Sequence, residues 1–341
     1  MKKFICVAAA VLCLCSCSGE NTIESSATES IVNNEQIQGD NVDENIYPYT
    51  IDAIAVNGNV YPQIFEKSPA RAFPNNQGLA ETMLKLGLQD SIVGVGAPSS
   101  EVEPSVAEEF NSLNLISDIS SVNKELILGA NADVVLGRST LFSDDTGWGN
   151  GTIEDLNGLG IKTVTQKASL FNATVDDLFA DVRELGMIFN IQETANAFAD
   201  KMENKYKNLV ELTKNEESKT FIIITNMGDE DIYSFGIQDI SMHADAFKGV
   251  KMNYLEEHLS GVISPELLID MNPDIIIVLS ADGEGLDGEA TRDMLLNSEN
   301  LSSVTAVENS DIYIQDFTAT MSFNYRLLDV IESTVHDVFG A

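Results

Sequence analysis

Val122–Leu136 reads VNKELILGANADVVL, and Ile263–Ile277 reads ISPELLIDMNPDIII. The two stretches align without a gap, the second 141 positions after the first: Glu125 matches Glu266, Leu126 matches Leu267, Asn131 matches Asn272 and Asp133 matches Asp274. Each opens on a helix-capping residue (Asn123, Ser264) and places a glutamate two positions later. A short amphipathic helix, a turn and a β-branched run follow. One helix–turn–strand unit is therefore written once in each half of the chain. It implies two related lobes, each offering one acidic side chain at an equivalent place. The residues leave a plainer reading open, in which a glutamate in a first helical turn only complements the helix dipole.

Around these units the chain is an α/β alternation. Ile51–Val56 and Asn59–Phe65 alternate about Asn57-Gly58, which predicts a β-hairpin. A helix over Leu79–Leu86 and a strand over Ser91–Val95 come next, then the first unit, a short helix over Asp155–Gly160 and a strand over Lys162–Thr165. Thr174 and Asp177 have the spacing of a capping box, and the helix behind them runs to about Phe189. A second helix, Gln192 to about Lys214, is about 35 Å long at 1.5 Å per residue and can bridge two lobes. Phe221–Thr225 is a buried-strand run. The second unit, a strand over Asp311–Gln315 and a closing helix from about Asn324 complete the chain. The expected fold class is α/β, with mostly parallel sheets, covering helices and two Rossmann-like lobes bridged by the long helix. The expected lobes are 47–191 and 216–341, joined by 192–215; a hinge inside a helix implies small closure.

The amino-terminal segment, MKKFICVAAAVLCLCSCSG, places Lys2 and Lys3 before an apolar run from Phe4 to Cys15. That run is too short to span a bilayer, so residues 1–16 are expected to be a secretion signal. Leu14-Cys15-Ser16-Cys17 resembles a bacterial lipoprotein box. The resemblance implies cleavage before Cys17 and lipidation of its thiol, with Cys15 a poorer alternative site. Residues 17–46 are rich in Ser, Asn, Glu, Asp and Gln and read as a disordered, lipid-anchored linker. All four cysteines fall at or before Cys17, so no disulfide is available beyond it.

Fifty-four acidic residues against nineteen basic ones give a net charge of −35. Such a field argues against nucleic acid and against adsorption to anionic lipid, so the membrane is expected to be met through the anchor only.

The combined pattern resembles the substrate-binding lipoproteins of ABC importers for iron complexes and cobalamin. The blocks that carry the resemblance are the hairpin, PARAFPNNQGLAETMLKLGLQDSIVGV (69–95), NKELILGANADVVLG (123–137) and DLNGLGIKTV (155–164), then the Thr174–Lys214 helices, SPELLIDMNPDIIIV (264–278) and the last strand-to-helix passage with Tyr325-Arg326. Glu81-Thr82 reverses the Thr-Glu order usual in the first block. The resemblance implies a ligand cleft between the lobes. It also implies that Glu125 and Glu266 dock into arginine-lined pockets on the two permease subunits, where two separated carboxylates can each accept a bidentate arginine pair.

A cleft of this kind sits at loops after the carboxyl ends of strands. The candidates there are Arg138, Phe142 and Trp148 in the first half, Met227 and Tyr233 after the first strand of the second, and Phe317, Met321, Tyr325 and Arg326 around its last strand. The family pattern places Arg138, Phe317 and Arg326 toward the ligand. Aromatic rings would stack on a large organic ligand, and guanidinium groups would meet its oxygens. Phe142 and Met321 also read as core residues, and Arg326 as a structural partner.

His243, His258 and His336 lack metal-site spacing, and no metal site or cofactor is expected beyond ferric iron carried within the ligand. The acidic, Gly-rich loops at 143–151 and 281–290 could bind calcium but lack the EF-hand register. No nucleophile elbow, P-loop or dinucleotide fingerprint is present, so no enzyme activity is expected. The reading is a monomeric, extracytoplasmic, membrane-anchored receptor that delivers an organic metal complex to an ABC permease. A ferric siderophore leads, and haem and cobalamin remain open. A two-lobe tetrapyrrole chelatase or metallochaperone is the alternative class, and a surface sensor or adhesion module a third.

Overall fold

The computed structural model describes residues 46–118, 120–144, 149–226, 231–234, 237–255 and 261–340. In the first half the elements are β1 (Tyr49–Ile54), β2 (Val60–Phe65), β3 (Ala72–Pro74), α1 (Gln77–Lys85), β4 (Val95–Gly96), α2 (Ala107–Asn111), β5 (Leu115–Ser117), α3 (Lys124–Gly129), β6 (Val134–Gly137), α4 (Ile153–Gly158) and β7 (Lys162–Thr165). Two long helices follow, α5 (Val175–Phe189) and α6 (Gln192–Thr213). Then come β8 (Lys219–Thr225), β9 (Ile232–Ser234), α7 (Ile237–Gly249), β10 (Met252–Tyr254), β11 (Gly261–Ile263), α8 (Pro265–Met271), β12 (Ile275–Ser280), α9 (Gly288–Asn297), α10 (Thr305–Asn309), β13 (Ile312–Asp316), α11 (Phe317–Met321) and α12 (Leu327–Phe339). The signal segment, Cys17, nearly all of the linker, Trp148, Met227 and His258 lie outside the described residues.

The strands before α5 and those after α6 belong to different sheets. Among the described residues β3, β6 and β7 form a parallel sheet in the order β3-β6-β7, with β1-β2 and β4-β5 as separate pairs. After α6 the order is β11-β9-β8-β12-β13, and β10 also pairs with β8. The β8–β12, β12–β13 and β8–β10 pairings are parallel, while β9 runs antiparallel to both β8 and β11.

The β-branched runs explain the packing. In β8 and β12, Phe221, Ile223, Ile275, Ile277 and Leu279 point to one face, where they meet Ile240, Ala246 and Phe247 of α7. Ile222, Ile224, Ile276 and Val278 point to the other and meet Leu268 of α8, Leu295 of α9, Val304, Ala306 and Val307. A strand buried on both faces must be apolar at every position, which is why these segments read as unbroken runs. Each fully buried Ile or Phe contributes roughly 1.5–3 kcal/mol. The first of these clusters is not confined to one half. It extends through α1, α5 and α6 to Ala319, Met321, Phe323 and the inner face of α12, within the compact unit Asn41–Ala341.

Most elements lie close to their expected positions, with some differences. The hairpin strands end at Ile54 and begin at Val60, and the turn is closed by Ala55 and Asn59 with Gly58 at φ +82°. The strand expected over Ser91–Val95 is reduced to Val95–Gly96, with Ile92 bridging Ala72. The closing helix begins at Leu327, after a turn, and an additional short helix, α11, occupies Phe317–Met321. The α5 start is held as anticipated: the Asp177 carboxylate accepts the Thr174 N–H at 2.8 Å and its hydroxyl at 3.1 Å. No helix of the described residues is long and apolar enough to cross a membrane.

Candidate functional site

The repeated unit has the same construction in both copies. The cap side chains accept helix N–H groups, Asn123 Oδ1 from Leu126 at 3.0 Å and Ser264 Oγ from Leu267 at 3.3 Å. Asn131 and Asn272 end the helices in the left-handed region, at φ +56° and +45°, a conformation asparagine tolerates better than most residues. The aspartates stitch the following strand to its parallel neighbour. Asp133 Oδ1 accepts the Arg71 N–H at 3.1 Å, one residue before Ala72 pairs with Val134. Asp274 Oδ2 accepts the Thr220 N–H at 2.7 Å, one residue before Phe221 pairs with Ile275.

Cap, asparagine and aspartate thus have structural work in each copy. Glu125 and Glu266 remain exposed on the first turns of α3 and α8. The Glu266 carboxyl is held below the usual carboxylate range by its own backbone N–H and the Ser264 hydroxyl.

The loops after β3, β6 and β7 converge. Asn75 follows β3, and its Oδ1 accepts the Arg138 N–H at 3.2 Å and the Asn76 amide at 3.1 Å. Gly137, at the end of β6, makes room for it: a Cβ there would lie 1.4 Å from Asn75 Oδ1. Asn76 caps α1 through Leu79 N–H at 2.9 Å and donates to Gln166 Oε1 at 3.1 Å. Gln166 in turn donates to the Phe323 carbonyl at 2.9 Å. Ser139 and Ser169 join the loops after β6 and β7, Ser139 donating from its N–H at 2.8 Å and its hydroxyl at 3.0 Å. Half-buried Arg138 stands where these three carboxyl-end loops meet.

The segment after β13 closes onto the same place. Thr318 donates to Gln77 Oε1 at 3.2 Å, and its hydroxyl pairs with Ser100 Oγ at 3.1 Å. Arg326 Nη1 lies 3.2 Å from both Glu81 carboxylate oxygens and 3.2 Å from the Glu101 carbonyl, while Nη2 lies 3.4 Å from Asp316. Glu81 is completely buried and also accepts Gln77 Nε2 at 2.9 Å and the Glu103 N–H at 3.2 Å. Burial pushes the Glu81 carboxyl up, and the Arg326 charge opposes this. His243 on α7 is fully buried, donates from Nε2 to the Thr320 carbonyl at 2.6 Å and meets the Phe323 ring edge-on at 5.2 Å. Desolvation pushes its pKa down to about 4, so the ring is neutral. Phe323 itself is left-handed, at φ +51°, gripped by Gln166 from one half and packed on His243 of the other.

The sequence candidates therefore fall into groups. Arg138 and the 317–326 segment share the Asn75–Gln77 loop as neighbour. Phe142 is packed among Val122, Ile127 and Val135, and Met321 is buried in the main core. Tyr325 is buried edge-on to Phe198 at 5.4 Å with Lys85 Nζ over its ring. Phe317 and Tyr233 are half-buried, the latter on β9 beside the end of β8. Arg326 is held in the clasp with Glu81. Asn75, Asn76, Gln77, Glu81, Ser100 and Gln166 were not among the sequence candidates; the signals for them were the amide-rich loop before α1 and the reversed Glu81-Thr82 order. Among the described residues no group of three His, Cys, Asp or Glu side chains could hold a metal ion.

Residues 76–319 match the family model for periplasmic binding proteins. The fold is similar to that of a periplasmic binding protein from Veillonella parvula, with a TM-score of 0.73, 17% identity, and coverage of 86% of this chain and 98% of that one. It is similar to an ABC-type Fe3+-hydroxamate transport system structure from Saccharomonospora viridis, with a TM-score of 0.70, 20% identity, and coverage of 86% and 100%. A periplasmic heme binding protein from Pseudomonas aeruginosa aligns with a TM-score of 0.62, 17% identity, and coverage of 80% and 94%. No curated protein sequence matches the chain. With the family model covering more than two thirds of its length, the chain belongs to the periplasmic binding protein family.

Proposed function

We propose that this protein is the extracytoplasmic substrate-binding component of an ABC importer for an organic metal complex, a ferric siderophore in the first place. The two sheet systems act as two lobes joined by α6, and the ligand is held at the carboxyl-end loops around Arg138 and the 317–326 segment. The metal arrives only inside the ligand. Lipidation of Cys17 anchors the chain, and residues 17–46 hold the body away from a surface its acidic charge would avoid. Glu125 and Glu266 dock on the two permease subunits.

The observation that carries this reading is the duplicated unit. Three of its four shared features have structural work in both copies, and the exposed glutamate has none beyond its own helix turn. A paired, separated acid on two otherwise structural units suits contact with two equivalent partner surfaces. The structures described as an ABC-type Fe3+-hydroxamate transport system and as a periplasmic heme binding protein give the ligand class its support.

Calorimetric titration with a ferric trihydroxamate, a ferric tricatecholate, iron protoporphyrin and cobalamin tests the assignment. Saturable sub-micromolar binding of one class is expected. Binding of none would overturn it in favour of a non-transport role.

A further inference from the structure

We propose that Phe171 is a ligand-stacking side chain, laid against the flat or apolar face of the captured complex beside Arg138. This deepens the proposed function and rests on it. A ligand contact has to be open before the ligand arrives. Phe171 is 55% exposed, and it is the one exposed aromatic side chain among the described residues. The other described aromatic candidates are buried (Phe142, Tyr325) or half-buried (Phe317, Tyr233).

A lone exposed phenyl ring on a surface means little, but the place of this one is specific. It follows β7 and the turn Lys167–Ser169, at the carboxyl end of the parallel sheet. Ser169, two residues earlier, is hydrogen-bonded to Ser139, the residue after Arg138. Asn172, the residue after it, adopts φ +62° and donates its N–H to Ser241 Oγ on α7 at 3.3 Å. The left-handed turn sends Ala173 back into the core and leaves Phe171 outside. The ring thus stands on a loop fixed at one end to the Arg138 loop and at the other to a helix of the second half. A guanidinium on one of two hydrogen-bonded loops and an exposed ring on the other suit a large organic complex with oxygen atoms on one side and an apolar or π face on another.

The test compares the full-length protein with Phe171→Ala and Phe171→Tyr, titrated with the same four probes. Whichever probe the unaltered protein binds should bind Phe171→Ala about tenfold more weakly, and Phe171→Tyr within about twofold, because only the former removes the ring. Melting temperature should not change, since an exposed ring supports little of the fold. Equal affinity of Phe171→Ala and the unaltered protein would overturn the inference while leaving the proposed function standing. So would a lowered melting temperature that Phe171→Tyr restores along with affinity, since the ring would then act through folding. Failure of the unaltered protein to bind any probe would instead overturn the proposed function, and the inference with it.

Discussion

Replacing Arg326 by alanine should expose how the 317–326 segment is held. Its Nη1 stands 3.2 Å from both oxygens of Glu81, a side chain with no exposure to water. At that separation and an effective dielectric constant of about 20, the attraction is about 5 kcal/mol. Arg326→Ala leaves the carboxylate with only Gln77 and the Glu103 N–H as partners. The expected loss is about 3–5 kcal/mol near neutral pH.

The loss must also depend on pH. The Glu81 pKa is already raised from 4.5 by burial, and removing the arginine raises it further. The folded variant then holds a proton that the unfolded chain releases near 4.5, so its stability falls as pH rises from there through the raised value. Urea denaturation of the two proteins at about pH 5 and about pH 8 should give a larger difference at the higher pH. Glu81→Leu combined with Arg326→Met should recover most of the loss. A loss below about 1 kcal/mol, or one that is the same at both pH values, would show that Arg326 does not offset a buried Glu81 charge.

Three further outcomes follow. His243 has a folded pKa of about 4 against 6.5 unfolded. The stability it supports is therefore complete above about 6.5 and is lost as pH falls toward about 4, by about 3 kcal/mol, and His243→Gln should flatten that part of the profile measured by denaturation. Asn131→Gly and Asn272→Gly relieve the same left-handed strain, but Asn272 Oδ1 also accepts from Thr305 N–H and hydroxyl. The first should be neutral or slightly stabilising in a thermal melt, and the second should cost about 1–2 kcal/mol. Gly78→Ala would place a Cβ 2.0 Å from Asn324 Nδ2 and 2.5 Å from Ser322 Cβ, so a loss of about 1–3 kcal/mol is expected.

The repeated unit could be read from the chain because its parts are local: a cap, an apolar stripe, a turn asparagine and a β-branched run. The role of Asp133 and Asp274 could not, because the N–H groups they accept belong to Arg71 and Thr220, 62 and 54 positions away. The Glu81–Arg326 clasp is hidden for the same reason, with 245 positions between its members. Loop aromatics are illegible in another way. Phe142 and Phe171 both follow strands of one sheet, yet one is buried among Val122, Ile127 and Val135 and the other is exposed. Nothing in either short stretch says which way the chain will turn, and the left-handed Asn172 decides it. The reversed Glu81-Thr82 order was visible as a departure from the family pattern. What it does, burying a carboxylate against Arg326, needed the fold.

In the proposed function a bound complex is handed to a permease through one glutamate per half. The direct measurement is uptake of the bound complex by cells whose only copy of this protein carries Glu125→Ala and Glu266→Ala, with the affinity of the purified variant measured beside it. Uptake lost with affinity unchanged is the predicted result. Normal uptake by that variant would contradict the account.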